Sequence, residues 1–417
     1  MNVNVVEGQT ALSDDFRAAL KPVRGQPTDW HTTPDEPFTT NAEAAGIIPL
    51  PGQVSGVGDQ IVLDPAQNNS FRLINRALGA GGTLRLAPAT STRGARYVVS
   101  GVDPSKIDSW VKELSVRAER ATPDALPSAV NAPTRIALYK SSPGVMDEGW
   151  TEWLLDTHGF KYSLITPVEI RAGNLSSRFD VIIFASQGLG SAGRGGRGGG
   201  GGAPGGGRGA GGRGAAADSA AMEEIRAVDE FVRGGGTILA WNQGATSIVN
   251  ALHLPVRNVV AGVNRREFFT GGSIMQVITD QSHPVMAGMP ERADVFVFNS
   301  PVFTTVDGFE GAVLAKFPSD TSPLRSGFLS GPQFIKGFAA AVDVKHDRGH
   351  AVLLAFQPQW RGQPTGTFRT VFNSAFFARD VADQARATAG FWTAPPMPSS
   401  RADSTAGRGA RGGPPPP

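Results

Sequence analysis

The sequence predicts an α/β protein: a doubly wound, largely parallel sheet forms the main domain, and a small α/β unit precedes it. Three observations predict this. Short apolar runs alternate with amphipathic helical stretches from residue 135 to about residue 252, the rhythm of βαβ units. From Gly271 that rhythm gives way to successive strand-like runs. A separate strand and helix pattern occupies residues 60–120.

Residues 1–6 alternate like a strand through Val3, Val5 and Val6, and 7–55 are rich in Pro, Thr, Gly and acids, so 1–55 reads as an extended linker. The small unit, 56–122, opens with Ile61, Val62 and Leu63 as a strand. Phe71, Leu73, Ile74 and Leu78 then form a helical face that ends at Gly79. Strands are expected at 83–86 and 96–99. Asp103 is a helix cap with Pro104 at the first helical position, and the helix is expected to run to about Arg120. Residues 123–133 read as a linker.

The main domain, 134–380, starts with a buried strand at 136–139. A helix over 147–158 places Trp150, Trp153 and Leu154 on one apolar face. Strands follow at 162–165 and 181–185. A helix over 220–233 turns Met222, Ile225, Val228 and Val232 inward and stops at Gly234, Gly235 and Gly236. A strand at 237–241 and a helix at 245–252 complete the alternation. Later strands are expected at 274–278, 295–298, 312–317, 338–344 and 350–356, the last two joined by a turn at Asp347, Arg348 and Gly349. A helix at 367–377 closes the domain. Residues 383–417 are dominated by Pro, Gly, Ser and Arg and read as a disordered tail.

With 417 residues there is room for two or three domains and a sizeable core. A net charge of +2 gives no electrostatic case for a nucleic-acid partner, and no apolar run reaches the ~20 residues of a membrane span. The chain opens without the basic and apolar parts of a signal peptide. The absence of cysteine excludes disulfides, thiolate metal sites and a cysteine nucleophile. Residues 188–217 are a Gly/Arg insertion with Arg194, Arg197, Arg208 and Arg213. It lacks the aromatic residues that stack on bases, and reads as an expanded loop between a strand and a helix. Gly188, Gly190 and Gly193 match the dinucleotide spacing, but more glycine follows where that motif needs a helix.

The usual catalytic signatures are missing: there is no His-Glu-x-x-His, no His-x-x-Glu, no Gly-x-Ser-x-Gly and no phosphate loop. Asp343, His346, Asp347 and His350 have metal-ligand chemistry, but a hairpin turn interrupts them, so they read as exposed turn residues. Asp147 and Glu148 at a helix start complement the helix dipole, and His283 before Pro284 reads as a structural loop histidine. In a doubly wound sheet the ligand crevice lies beyond the carboxyl ends of the strands. The candidate pocket assembled there is Asp147, Glu148, Gln187, Asn242, Gln243, His283, Gln357, Gln359 and Arg361. Amides dominate it, and amides bind well but make poor acids, bases or nucleophiles.

The blocks 147–155 (DEGWTEWLL), 180–185 (DVIIFA), 231–239 (FVRGGGTIL), 283–290 (HPVMAGMP) and 349–372 (GHAVLLAFQPQWRGQPTGTFRTVF) together resemble the C-terminal region of large bacterial zinc carboxypeptidases of the carboxypeptidase A type. The resemblance covers about residues 1–380. It implies a class I glutamine amidotransferase-like, flavodoxin-like domain that follows a peptidase domain. It also implies zinc in that peptidase domain, whose ligands have no counterpart in this chain, and a periplasmic or extracellular parent. A working amidotransferase carries cysteine at a strand-to-helix elbow, where this chain has Trp241, Asn242, Gln243 and Gly244. The expected role is therefore a non-catalytic accessory region with no cofactor of its own. Its expected partners are a peptidase domain, in cis or from the same gene neighbourhood, and peptide or cell-wall substrate; no nucleic acid or membrane is expected. A start at Met1 in mid-strand suggests a truncated gene product. The alternatives are a free-standing peptide- or carbohydrate-binding module and a degenerate hydrolase using His283 with Asp147 or Glu148.

Overall fold

The computed structural model describes residues 51–90, 93–122, 130–190, 213–377 and 390–398. The expected strand at 1–6, most of the 7–55 stretch, most of the glycine tract and the tail from 399 lie outside them.

The first unit contains strands β1 (Gln53–Gly56), β2 (Gln60–Leu63), β3 (Thr83–Ala87), β4 (Arg96–Ser100) and β5 (Arg117–Ala121), with helices α1 (Asn68–Gly79) and α2 (Pro104–Glu113). The sheet order is β1-β5-β2-β4-β3. From β2 onward this is the split βαβ arrangement, antiparallel throughout, and β1 adds a parallel edge strand on β5. Strand β1 thus falls partly within the stretch read as linker. Asp103 caps α2 as expected, accepting from Ser105 N at 2.8 Å, with Pro104 beginning the helix. The helix does not continue to Arg120. It ends at Glu113, Ser115 takes φ +53°, and the next residues become β5. Local helical pattern loses here to pairing: β5 is held on both sides, by β1 and β2.

The main domain continues with β6 (Ile136–Tyr139), α3 (Met146–Thr157), β7 (Tyr162–Ile165), α4 (Pro167–Arg171), α5 (Leu175–Arg178), β8 (Val181–Ala185), α6 (Arg213–Arg233), β9 (Thr237–Trp241) and α7 (Gln243–Ala251). Then come β10 (Ser273–Thr279), β11 (Arg292–Val297), β12 (Gly311–Lys316), β13 (Ala339–His346), β14 (Gly349–Leu354) and α8 (Phe368–Phe377). These strands lie in the order β11-β10-β12-β13-β14-β9-β8-β6-β7, and three shorter strands pair off this path. Strands β7, β6, β8, β9 and β14 are mutually parallel. Counted along the chain they follow 2-1-3-4-5, the flavodoxin-like doubly wound order. The rest of the sheet is antiparallel.

The inner parallel strands β6, β8, β9 and β14 are buried from end to end, as a sheet covered on both faces requires, whereas the edge strand β7 buries only Ile165. One face packs under α3 and α8 in a core that continues into the first unit. The other packs under α6 and α7. Two helical faces differ from the expected ones. On α3 the inward residues are Thr151, Leu154 and Leu155, while Trp153 is 42% exposed. On α6, Val228 and Val232 are buried but Met222 is 69% exposed, because its side chain lies beyond the edge of the sheet-facing stripe. Among the described residues no helix is long and apolar enough to cross a membrane.

Candidate functional site

The reversal in strand order falls between β6 and β8, which places the crevice between the loops that leave those strands. The two loops are tied together there: Ser141 N donates to Gln187 Oε1 at 2.8 Å. Ser186, at φ +59°, turns its hydroxyl onto Asp147 Oδ2 in a short hydrogen bond. Asp147 lies in the first turn of α3 and is buried. The loop after β14 reaches the same carboxylate, with Gln357 Nε2 donating to Asp147 Oδ2 at 3.1 Å. Gln359 Nε2 donates to Asp147 O at 3.0 Å and to Thr151 Oγ1 at 3.1 Å. These partners set each amide's orientation, because only the NH2 end can donate.

The strand-to-helix elbow joins the same region. Asn242, between β9 and α7, has φ +52° and ψ −126°, a backbone region costly for any residue with a Cβ. Gly244 permits the sharp turn, since a Cβ there would lie 2.8 Å from Phe184 O and Gln187 O. This is the geometry of a nucleophile elbow, which presents one side chain at the top of the sheet. Here that side chain is an amide. Asn242 Nδ2 donates to Phe298 O at 3.4 Å, and Gln243 Nε2 to Asn299 O at 2.9 Å. A cleft of about 160 Å3 adjoins Gln243, with Asn258, Arg265, Phe268 and Thr270 in its wall.

Several buried polar atoms here have no hydrogen-bond partner among the described residues: Asp147 Oδ1, Asn242 Oδ1, Gln357 Oε1, Gln359 Oε1 and Gln187 Nε2. Four accept and one donates. Each would cost about 1–3 kcal/mol if left unsatisfied, so their concentration at the strand ends marks a place where something polar belongs. Beside them stands an aromatic rim. Trp360 stacks on Phe296 with centroids 4.8 Å apart and on Phe298 at 6.0 Å, and Phe298 is 41% exposed. Arg361 lies over the Trp360 ring at 5.0 Å, which places it at the rim.

Glu148 turns instead to Lys140, at 2.9 Å. Burial holds its carboxyl above the usual range, against the lowering effect of Lys140. His283 is seated on Asp343, in the body of the sheet where Asp343 pairs with Val352. Its Nδ1 accepts from Val285 N at 3.3 Å, which leaves Nε2 to face Asp343 Oδ2 at 3.5 Å. His350 Nδ1 lies 3.0 Å from both oxygens of the same carboxylate. Asp343 and His350 are buried, which corrects their reading as exposed turn residues; only Asp347 forms the turn tip, and His346 pairs with Asp229 at 2.6 Å. The physical reason is register, since Asp343 and His350 lie far enough down the hairpin to enter the core under α8. Burial alone would raise the Asp343 carboxyl, but its bonds to His283 and His350 hold it below the usual range. Among the described residues no group of three or more potential ligands is placed to hold a metal ion.

Sequence reasoning overlooked Thr151 and the pair Phe296 and Phe298. Thr151 had a readable signal, being one helical turn beyond Asp147.

No family model and no curated protein matches this chain. Among solved structures, a glutamine amidotransferase from Thermotoga maritima is similar at 10% identity and a TM-score of 0.35, over 58% of this chain and 96% of that one. PurLQS from Thermotoga maritima gives 14% and 0.34, over 58% and 98%. A ThuA-like protein from Bacteroides uniformis gives 12% and 0.36, over 63% and 98%. At this level of likeness the fold is defined by the strand order itself.

Proposed function

We propose that this chain is a non-catalytic accessory domain that holds a hydroxyl-rich ligand, a carbohydrate, at the strand ends of an amidotransferase-like sheet. The observation that carries the proposal is the elbow. Its strained backbone presents Asn242, which can bind but cannot attack, among buried polar atoms that have no partner among the described residues. Those atoms are mostly acceptors, so the ligand must donate, as hydroxyl groups do. The stacked rings of Phe296, Phe298 and Trp360 offer an apolar face beside them, and an apolar wall with a few convergent polar groups is the usual composition of a ligand site. The proposed partner is the zinc carboxypeptidase domain of the family that the sequence blocks resemble, in cis or encoded nearby, with cell-wall material as the shared substrate.

Calorimetric titration of the purified chain with soluble cell-wall fragments, neutral oligosaccharides and short peptides tests this. Saturable saccharide binding that Gln357→Leu weakens is the expected result. Saturable binding of peptides alone would replace carbohydrate by peptide, and no saturable binding at all would overturn the ligand-holding role. Release of ammonia or a cleaved product from the bound ligand would overturn the non-catalytic one.

A further inference from the structure

Where the first unit meets the main domain, a cleft of about 410 Å3 opens between Asp64 and Arg96 on one side and Gln281, Met289 and Arg369 on the other. On the main-domain side it lies against the connection between β10 and β11 and against α8, and it shares no lining residue with the strand-end group. Arg369, in the first turn of α8, is only 9% exposed. A guanidinium cannot shed its charge to suit a buried position, so it needs a counter-charge. The described residues supply little. Arg369 Nη1 donates to Gly288 O at 2.5 Å, and Arg369 Nε has no partner among the described residues. The carboxylate that faces it, Asp64, is already engaged: it pairs with Arg96 at 3.2 Å and accepts from Ala66 N at 2.8 Å. Burial accordingly holds Arg369 below the ordinary guanidinium range, with the Asp64 charge only opposing that shift. The cleft wall thus carries two guanidinia against one carboxylate.

We infer that this cleft binds a small anion, a carboxylate or phosphate group, held by the Arg369 guanidinium from within and by Arg96 at the mouth. The planar fork of arginine matches both anions and makes charge-assisted bonds stronger than neutral ones. The cleft wall is drawn from both units, so an anion bound there stabilises their contact, and its occupancy reads out as resistance to unfolding. Gly288 fixes the wall: at φ +75° it lets the main-domain backbone approach Pro65 and Ala66 where a Cβ would come within 2.6 Å of Ala66 N.

The test is thermal unfolding of the full chain titrated with sodium phosphate and, separately, sodium succinate, each against sodium chloride at matched ionic strength. A saturable rise in Tm above the chloride control is expected. A rise with succinate alone assigns the site to carboxylates, and a rise with phosphate alone assigns it to phosphates. Arg369→Gln should weaken the apparent affinity on the order of thirtyfold, the effect of removing one member of a buried charge pair. Arg96→Gln, at a partly exposed position, should weaken it less and does not depend on Arg369→Gln folding. No rise with either anion in the unaltered chain overturns the site, as does a rise that Arg96→Gln and Arg369→Gln leave intact.

Discussion

Asn242 holds backbone strain that glycine would relieve, since only glycine adopts φ near +52° with ψ near −126° at low cost. Asn242→Gly is therefore expected to raise stability by about 1 kcal/mol in urea unfolding while it weakens saccharide binding. A stability loss would show that the Asn242 side chain, through its bond to Phe298 O, contributes more than the strain costs. Asp343 makes a second prediction. Its folded pKa is depressed relative to the unfolded chain, so its contribution is present above the unfolded value, near 4, and is lost as pH falls below that. Asp343→Asn should destabilise by about 1.5–3 kcal/mol at pH 7, because His283 and His350 lose a buried, charged hydrogen-bond acceptor. The gap between the two proteins should narrow as pH falls below about 4, as followed by denaturant unfolding at each pH. A constant gap would mean that packing alone accounts for the loss.

The corner between β9 and α7 depends on the close approach of helix and strand. Gly244→Ala would bring a methyl group within 2.8 Å of two backbone oxygens, neither of which can rotate away. A loss of about 2–3 kcal/mol is expected, in the range of overpacked interiors. A mutant of unaltered Tm would show that α7 can slide. At this scale most of the elements are legible in the sequence alone. The apolar runs at 136–139, 181–185 and 237–241 became buried parallel strands, and Asp103 with Pro104 did start a helix. The extension of α2 to Arg120 was not legible as an error. Residues 117–121 are polar enough for a helix surface, and only neighbours on both sides make them a strand.

The two units share one continuous core, built around the rings of Phe71, Tyr97, Phe160, Phe372 and Phe376. Tyr97 Oη also donates to Asn373 Oδ1 at 2.8 Å, while Asn373 Nδ2 donates to Val285 O and Ala287 O. Helix α1 adds bonds from Asn68 to Thr365 O and from Asn75 to His158 O. An interface of this kind couples the units, so calorimetric unfolding of the whole chain should give a single transition. Phe372→Ala is expected to cost about 3–5 kcal/mol and to lower that transition as one peak. Two separate peaks in the unaltered chain would show that the units fold independently.

What the sequence determined by itself was the order and type of most elements, the parallel first half of the sheet and the presence of an amide rather than a thiol at the elbow. These are properties of neighbours along the chain, written in periods of two and 3.6 residues and in single positions. Only the tertiary structure decided what meets at the strand ends. The Asp147 carboxylate finds Ser186 and Gln357, the latter 210 residues away, and no local period records such a meeting. The same holds for His283 and His350, which look like loop and turn residues until the fold closes over them and their charge partner. Arg369 reads as one more polar position on an amphipathic helix, and it becomes a buried, underpaired charge only once the first unit packs against α8.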